Sequence, residues 1–185
     1  MSKRLITGTA LLFCGTFLLL CGCNPAPQPE QPQQHRHKPQ QLTAVTADRI
    51  VVEKEKHLLH LVAHGSIIRS YRVALGPHPQ GHKQREGDGR TPEGIYRIDY
   101  RNPHSTYHRS LHISYPSAKD RQQATAAGIP PGSDIMIHGL GKQFGAIGKL
   151  HTAKDWTLGC IAVTNEEIEE IWKSVPNGTT IEIRP

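Results

Sequence analysis

The chain has 185 residues, with 22 Lys and Arg against 16 Asp and Glu and a formal charge of +6. That excess is modest and diffuse, with no basic helix and no aromatic-rich strand, so the sequence excludes a nucleic-acid binder. It favours an acidic partner such as a cell-wall polymer or anionic lipid. Of 4 cysteines only Cys160 lies beyond residue 23, which excludes an intradomain disulfide and a Cys-rich zinc site; no metal or cofactor is expected.

The chain opens Met1-Ser2-Lys3-Arg4 and then runs apolar from Leu5 to Cys21 without a charge. A positive start followed by an apolar stretch too short for a membrane span has the pattern of an export signal. It ends Leu20-Cys21-Gly22-Cys23, which resembles a bacterial lipobox: residues 1–22 form the signal peptide and Cys23 is the lipidation candidate. Asn24 rather than Asp after Cys23 implies sorting to the outer membrane, so the expected location is the periplasmic face of the cell envelope, on a lipid anchor. Residues 23–43, the lipidated cysteine and NPAPQPEQPQQHRHKPQQLT, are dominated by Pro and Gln and too polar to bury a core. They read as an extended tether, and the pair His35 and His37 as solvated side chains.

Residues 44–185 form one domain of ordinary size. Arg49–Glu53, Leu58–Val62 and Ile67–Leu75 are β-branched or apolar runs separated by short polar turns, the pattern of antiparallel hairpins. A loop of four glycines and three prolines follows over 76–92. Gly94–Asp99 and Ser110–Ser114 alternate apolar and polar as half-buried strands do. A short helix is predicted over Ser117–Ala127, ended by Gly128 and Pro130-Pro131, and a strand over Asp134–Ile137 leads into His138. Thr164-Asn165-Glu166-Glu167 has capping-box spacing, and Ile168, Ile171, Trp172 and Val175 follow on one helical face. Thr180–Ile183 is a closing strand. The predicted fold is mainly β, a β-rich α+β domain with one firm helix just after Cys160.

Chemistry concentrates at Thr157-Leu158-Gly159-Cys160-Ile161, 22 residues after His138 in the run Asp134–Gly139. A lone thiol on a glycine-flanked turn needs a base or a positive field to become a nucleophile, and an imidazole supplies either. The same pair also fits a buried structural cysteine beside an unrelated histidine. An unpaired thiol in an oxidising compartment argues for the first reading.

The pair His138-Gly139 with Thr157-x-Gly159-Cys160-Ile161 resembles the signature of the L,D-transpeptidase (YkuD-type) catalytic domain, nearest its YafK-like subgroup. The element Thr91-Pro92-Glu93-Gly94 and the segment Leu111–Pro116 resemble the same family. The resemblance covers about 49–183 and implies a Cys acyl-enzyme that attacks the peptidoglycan stem tetrapeptide between its third residue and D-alanine. It implies Cys160 as nucleophile, His138 as proton acceptor and donor, the Gly139 carbonyl orienting His138, and backbone N–H groups of Gly159 and Cys160 as the oxyanion hole. Thr157, Trp156, Arg90 and Lys83 are substrate-binding candidates. His151 could be a second base but is expected to be a solvent-exposed loop residue.

Two positions depart from the family pattern. Leu158 stands where many members carry a second histidine, and Ala162 where many carry Asn or Arg. The acceptor is therefore open: an amine in transpeptidation, or water in carboxypeptidase or amidase cleavage, including release of a wall-bound lipoprotein. A silent wall-binding lipoprotein is the third reading. Expected partners are stem peptides of peptidoglycan and, through Cys23, a membrane.

Overall fold

The computed structural model describes residues 45–132 and 134–185. The signal segment 1–22, Cys23, the tether with His35 and His37, and Ala44 lie outside the described residues.

The first three strands are β1 (Arg49–Glu53), β2 (Leu58–Ala63) and β3 (Ser66–Arg72), paired antiparallel as the sequence predicts. β4 (Gly94–Asn102) and β5 (Ser110–Ile113) pair antiparallel, followed by the helix α1 (Ala118–Ala126). Ser117 caps α1, and Asp120 completes a capping box with it. Next come β6 (Met136–His138), the helix α2 (Gly141–Phe144), a 3-10 segment (Gly145–Ala153) and the two-residue strand β7 (Ile161–Ala162). The chain finishes with α3 (Asn165–Ser174), capped by Thr164 and Glu167 as predicted, and β8 (Thr180–Arg184).

The domain is mostly β; the helices expected over Ser117–Ala127 and after Thr164 are α1 and α3, and α2 and the 3-10 segment are additional. Four glycines between Gly139 and Gly148 masked α2 and its continuation. The strands form one eight-stranded sheet among the described residues, in the order β3-β2-β1-β8-β4-β5-β6-β7. The last strand thus lies in the middle, parallel to β1 (Ile50 opposite Ile181) and antiparallel to β4 (Tyr96 opposite Ile181).

The sheet also curls until its edges approach. Ala74, just past the edge strand β3, exchanges backbone hydrogen bonds of 3.0 and 2.9 Å with Ala162 of β7, the other edge. Inside the curl lie Ile50, Val52, Leu59, Leu61, Ile98, Leu111, Ile137, Ile161 and Ile181, all fully buried. Ile168 and Ile171 of α3, with Val175 just past its end, pack onto them, so the helix periodicity read from the sequence is the core-facing stripe.

Candidate active site

His138 and Cys160 lie at neighbouring strands by the seam where the curled sheet nearly closes, His138 at the end of β6 and Cys160 one residue before β7. β6 and β7 run parallel, with Ile137 opposite Ile161 and His138 opposite Ala162. Side chains alternate between faces of a strand, so Ile137 and Ile161 point into the core while His138 and Ala162 share the other face. Cys160, one step before β7, falls on the face of His138 by the same alternation.

The imidazole is 4% exposed, held between the Tyr107 ring (centroids 4.5 Å apart) and the edge of Trp156 (5.9 Å). Its Nδ1 lies 2.6 Å from the Gly139 carbonyl oxygen. A carbonyl only accepts, so Nδ1 carries the proton and Nε2 keeps its lone pair for a second partner. Burial lowers the His138 pKa; the Gly139 carbonyl opposes that, and a charge on His151 would lower it further. The ring is neutral at rest.

Cys160 is half-buried, with Sγ 3.5 Å from the Asp134 carbonyl. Burial raises its pKa; the Met136 N–H opposes this, the Asp134 carboxylate adds to it and the Lys83 ammonium opposes it. Burial thus favours the neutral form of both the thiol and the imidazole. The sulfur does not rest as a thiolate and must give its proton to a base as it attacks.

The loop after His138 is fixed by a residue the sequence reading passed over. Asn165, the first residue of α3, accepts hydrogen bonds from Leu140 N (2.8 Å) and Gly141 N (3.2 Å) through Oδ1, and donates to the Gly141 carbonyl (3.2 Å) through Nδ2. A side chain on Gly139 would meet Asn165 Oδ1 at 2.7 Å and the Tyr107 carbonyl at 2.9 Å, so glycine is required there by close approach. Only the position of Asn165, at a helix start just past the cysteine motif, could have pointed to it.

The thiol turn corrects two expectations. Thr157 is buried, and its hydroxyl donates to the Cys160 carbonyl at 2.7 Å while accepting from Gly159 N at 3.1 Å. The hydroxyl is used inside the turn rather than offered to substrate. The Gly159 N–H points at that hydroxyl and not into the site, so of the two expected oxyanion donors it is the Cys160 N–H that remains. Gly159 has φ +124, and a Cβ there would lie 2.5 Å from the Arg90 carbonyl, so both conformation and space require glycine.

The glycine-rich loop over 76–92 is not a freely solvated charged segment. Lys54, 2% exposed, donates from Nζ to the Gly81 carbonyl (2.7 Å), the Thr91 carbonyl (3.0 Å) and Glu93 (2.8 Å). Asp88 accepts from Gln84 N (2.8 Å), Arg85 N (3.1 Å), Arg90 N (3.0 Å) and Lys83 Nζ (2.9 Å). Burial would raise the Asp88 pKa, but those donors hold it down at about 2. Lys83, expected to meet a substrate carboxylate, is 3% exposed and committed to Asp88 and the Arg85 carbonyl. Arg90 braces the site with its backbone carbonyl against Gly159, and its guanidinium reaches the His82 carbonyl at 3.4 Å.

Trp156 lines the site beside His138, at the end of a segment whose N–H groups at 156 and 157 both donate to the Leu75 carbonyl at 3.0 Å. Leu158 is 82% exposed and Ala162 fully buried, so neither departure is compensated by a polar group at its own position. His151, expected in solvent, is 4% exposed. The cavity of about 920 Å³ between α1, the start of β4 and the end of β8, lined by Gly94, Tyr96, Asp120 and Ile183, includes neither Cys160 nor His138.

A sequence model of the YkuD family, the L,D-transpeptidase catalytic domain, matches residues 47–183. YafK of Escherichia coli (strain K12), an L,D-transpeptidase candidate by name, is 28% identical over 176 residues, covering 92% of this chain and 62% of that protein. The chain thus spans less than two thirds of that relative. Among solved structures, the helical cell shape determining protein Pgp2 of Campylobacter jejuni superposes with a TM-score of 0.57 at 23% identity, over 74% of this chain and 46% of that one. Bd1075 of Bdellovibrio bacteriovorus gives 0.52 at 24% identity, over 76% and 49%. Those two likenesses concern the fold, and the family match extends over nearly the whole described domain. The chain belongs to the YkuD family and carries its L,D-transpeptidase catalytic domain.

Proposed function

We propose that the protein is a cysteine acyltransferase of the cell envelope that acts on the stem tetrapeptide of peptidoglycan. The carrying observation is the parallel pairing of β6 with β7, which sets His138, its Nδ1 proton fixed on the Gly139 carbonyl and its Nε2 left to act, on the strand beside the half-buried Cys160.

In the acylation step His138 Nε2 takes the thiol proton as Cys160 Sγ attacks the carbonyl of the third stem residue. The oxyanion that forms is met by the Cys160 N–H, a fixed dipole. The imidazolium then gives its proton to the leaving D-alanine amine, and a thioester remains on Cys160. In the second step an acceptor amine attacks the thioester, its proton passes to His138 and returns to the departing sulfur, and a new amide is released. With water as acceptor the same cycle yields a tripeptide acid.

The test is mass spectrometry of muropeptides after incubation of the protein with purified tetrapeptide substrate, with and without an added amine. Amine-dependent cross-linked product supports transpeptidation, and tripeptide alone assigns the hydrolytic branch. No product, with the thiol intact, would sink the enzyme reading in favour of a wall-binding scaffold.

The location belongs to the same proposal. Leu20-Cys21-Gly22-Cys23 supports cleavage after Gly22 and lipid on Cys23, tethering the domain near the wall. Cys23→Ser is expected to remain unprocessed and to lose its lipid by mass; normal processing of that variant would refute the anchor.

A further inference from the structure

The cycle above leaves one proton without a destination. A primary amine is an ammonium at neutral pH, whereas the amide it forms on a thioester keeps a single N–H. Joining it to the acyl group forms a C–N bond, breaks the C–S bond and frees two protons. One returns to the departing sulfur through His138. The other has to leave before the attack, because an ammonium has no lone pair.

A second histidine stands on the same face of the sheet as the thiol. Along β5 and β6 Ser110 is opposite His138 and His112 opposite Met136, and along β6 and β7 Ile137 is opposite Ile161. Partners across a sheet share a face, and alternate residues of a strand return to it. By continuation of that register His112, Met136 and Cys160 stand abreast in one row, with His138 in the next. Asp134 touches both ends of the row. Its carbonyl lies 3.5 Å from Cys160 Sγ, and its carboxylate 3.8 Å from His112 Nε2.

The surroundings of His112 prepare it to accept a proton. Its Nδ1 lies 2.6 Å from Asp99 Oδ1, and a carboxylate only accepts, so Nδ1 carries the proton and Nε2 is the nitrogen that takes one up. Asp99 is aimed by a bulge in β4: Ile98 is opposite Ile113, the next pair is Tyr100 with His112, and Asp99 is the extra residue between them. The His112 side chain is 20% exposed and that of Asp134 76%, so both solvent and an incoming chain reach this corner.

We propose that His112, oriented by Asp99, is a catalytic base for the acceptor: its Nε2 takes the surplus proton from the acceptor ammonium beside Asp134 and passes it to solvent. His138 keeps the proton that cycles between nitrogen and sulfur. Water arrives with its lone pairs free, so the dyad serves an amine and has no task in hydrolysis. This deepens the acyltransferase reading and rests on it.

The experiment lets one acyl-enzyme choose between nucleophiles. The full chain is incubated with tetrapeptide and either methylamine, an ammonium at neutral pH, or hydroxylamine, which is uncharged there. Mass spectrometry gives the ratio of methylamide or hydroxamate to tripeptide acid. Each ratio is set after acylation, so it is blind to losses of folding or of acylation. In His112→Gln the methylamide ratio is expected to fall about 100-fold, the scale of a lost general base, while the hydroxamate ratio stays within about twofold. Asp99→Asn, at a more exposed position, is expected to lower the methylamide ratio and spare the hydroxamate ratio, and it carries the test if His112→Gln does not fold.

An unchanged methylamide ratio in these variants overturns the proposal. Equal falls in both ratios do the same, since they mean that the ring only supports the sheet. An unmodified chain that yields tripeptide acid and hydroxamate but no methylamide also overturns it, and leaves the acyl-enzyme standing. An unmodified chain that releases no D-alanine removes the acyltransferase reading itself, and this inference with it.

Discussion

The two halves of the sheet are built on different terms. From β3 to β8 the strands run five to seven residues, and the buried faces of β2, β1 and β8 are filled with Ile, Val and Leu. From β5 to β7 they shrink to four, three and two residues, and the buried groups include Ser110, His138, Thr157 and Thr164. Regular pairing and apolar burial hold the first half. The second is held by individual hydrogen bonds onto loops: Asn165 onto 140–141, Thr157 across its turn, Asp88 onto 83–90 and Leu75 onto 155–157. The difference teaches where precision comes from at this site. Short strands set which residues face each other, and buried polar side chains fix the loops that carry the chemistry.

That contrast can be broken first at the chemistry itself. Cys160→Ala is expected to abolish product, and His138→Ala to lower turnover by about 100-fold or more, the scale of a lost general base, with the denaturation midpoint little changed. If His138→Ala kept near-normal turnover, the base would lie elsewhere. In the scaffold half the expectation reverses. Ile181→Ala, at a fully buried position in the central strand, is expected to cost about 3 kcal/mol in urea denaturation, while turnover per folded molecule holds steady. A matching fall in turnover per folded molecule would mean that the halves are not separable.

Asn165→Ala tests the clamp between them. Leaving the Leu140 and Gly141 N–H groups unpaired costs on the order of 1–3 kcal/mol, and turnover is expected to fall roughly tenfold, with Asn165→Asp intermediate because it keeps the acceptor. Turnover unaffected by the alanine change counts against loop positioning by Asn165.

The pH dependence sharpens the same point. Burial holds the His138 and His151 pKa values below the ordinary 6.5, so on acidification the unfolded chain takes up protons first. Their contribution to stability is complete above pH 6.5 and lost as pH falls toward the lowered values. The Cys160 pKa is raised above 9.0, so the unfolded thiol ionises first and its contribution declines as pH climbs past 9.0. The acid limb of turnover, which reports the thiol–imidazole pair together, is expected below 6.5. Denaturation midpoints and rates at stepped pH measure both, and stability that improves on acidification through that range would contradict them. The smallest effect is expected at Leu158→Ala, 82% exposed, within about 0.5 kcal/mol of the parent stability.

The scaffold half was largely readable in the sequence. Periodic apolar runs between polar turns gave β1 and β2 nearly to their ends, and the Thr164–Glu167 spacing gave α3. The parallel pairing of β1 with β8 was not readable, because about 130 residues separate the partners and neither strand encodes its neighbour. At the site, Cys160 and His138 were visible as reactive types in a familiar spacing. Their supports were not: Asn165 looks like any residue at a helix start, Asp88 like any acid in a glycine loop. His151 was placed in solvent because a histidine in a glycine-rich stretch usually lies there, and tertiary burial overrode that habit.

The position of β8 also makes the two halves of the sheet depend on one strand between them. Because the last strand is the central one, a chain made only as far as α3 has β1 and β4 with no strand between them and an open, unpaired edge on each side. Removing β8 therefore opens the sheet at its middle rather than at an edge, and takes Ile181 and Ile183 out of the core.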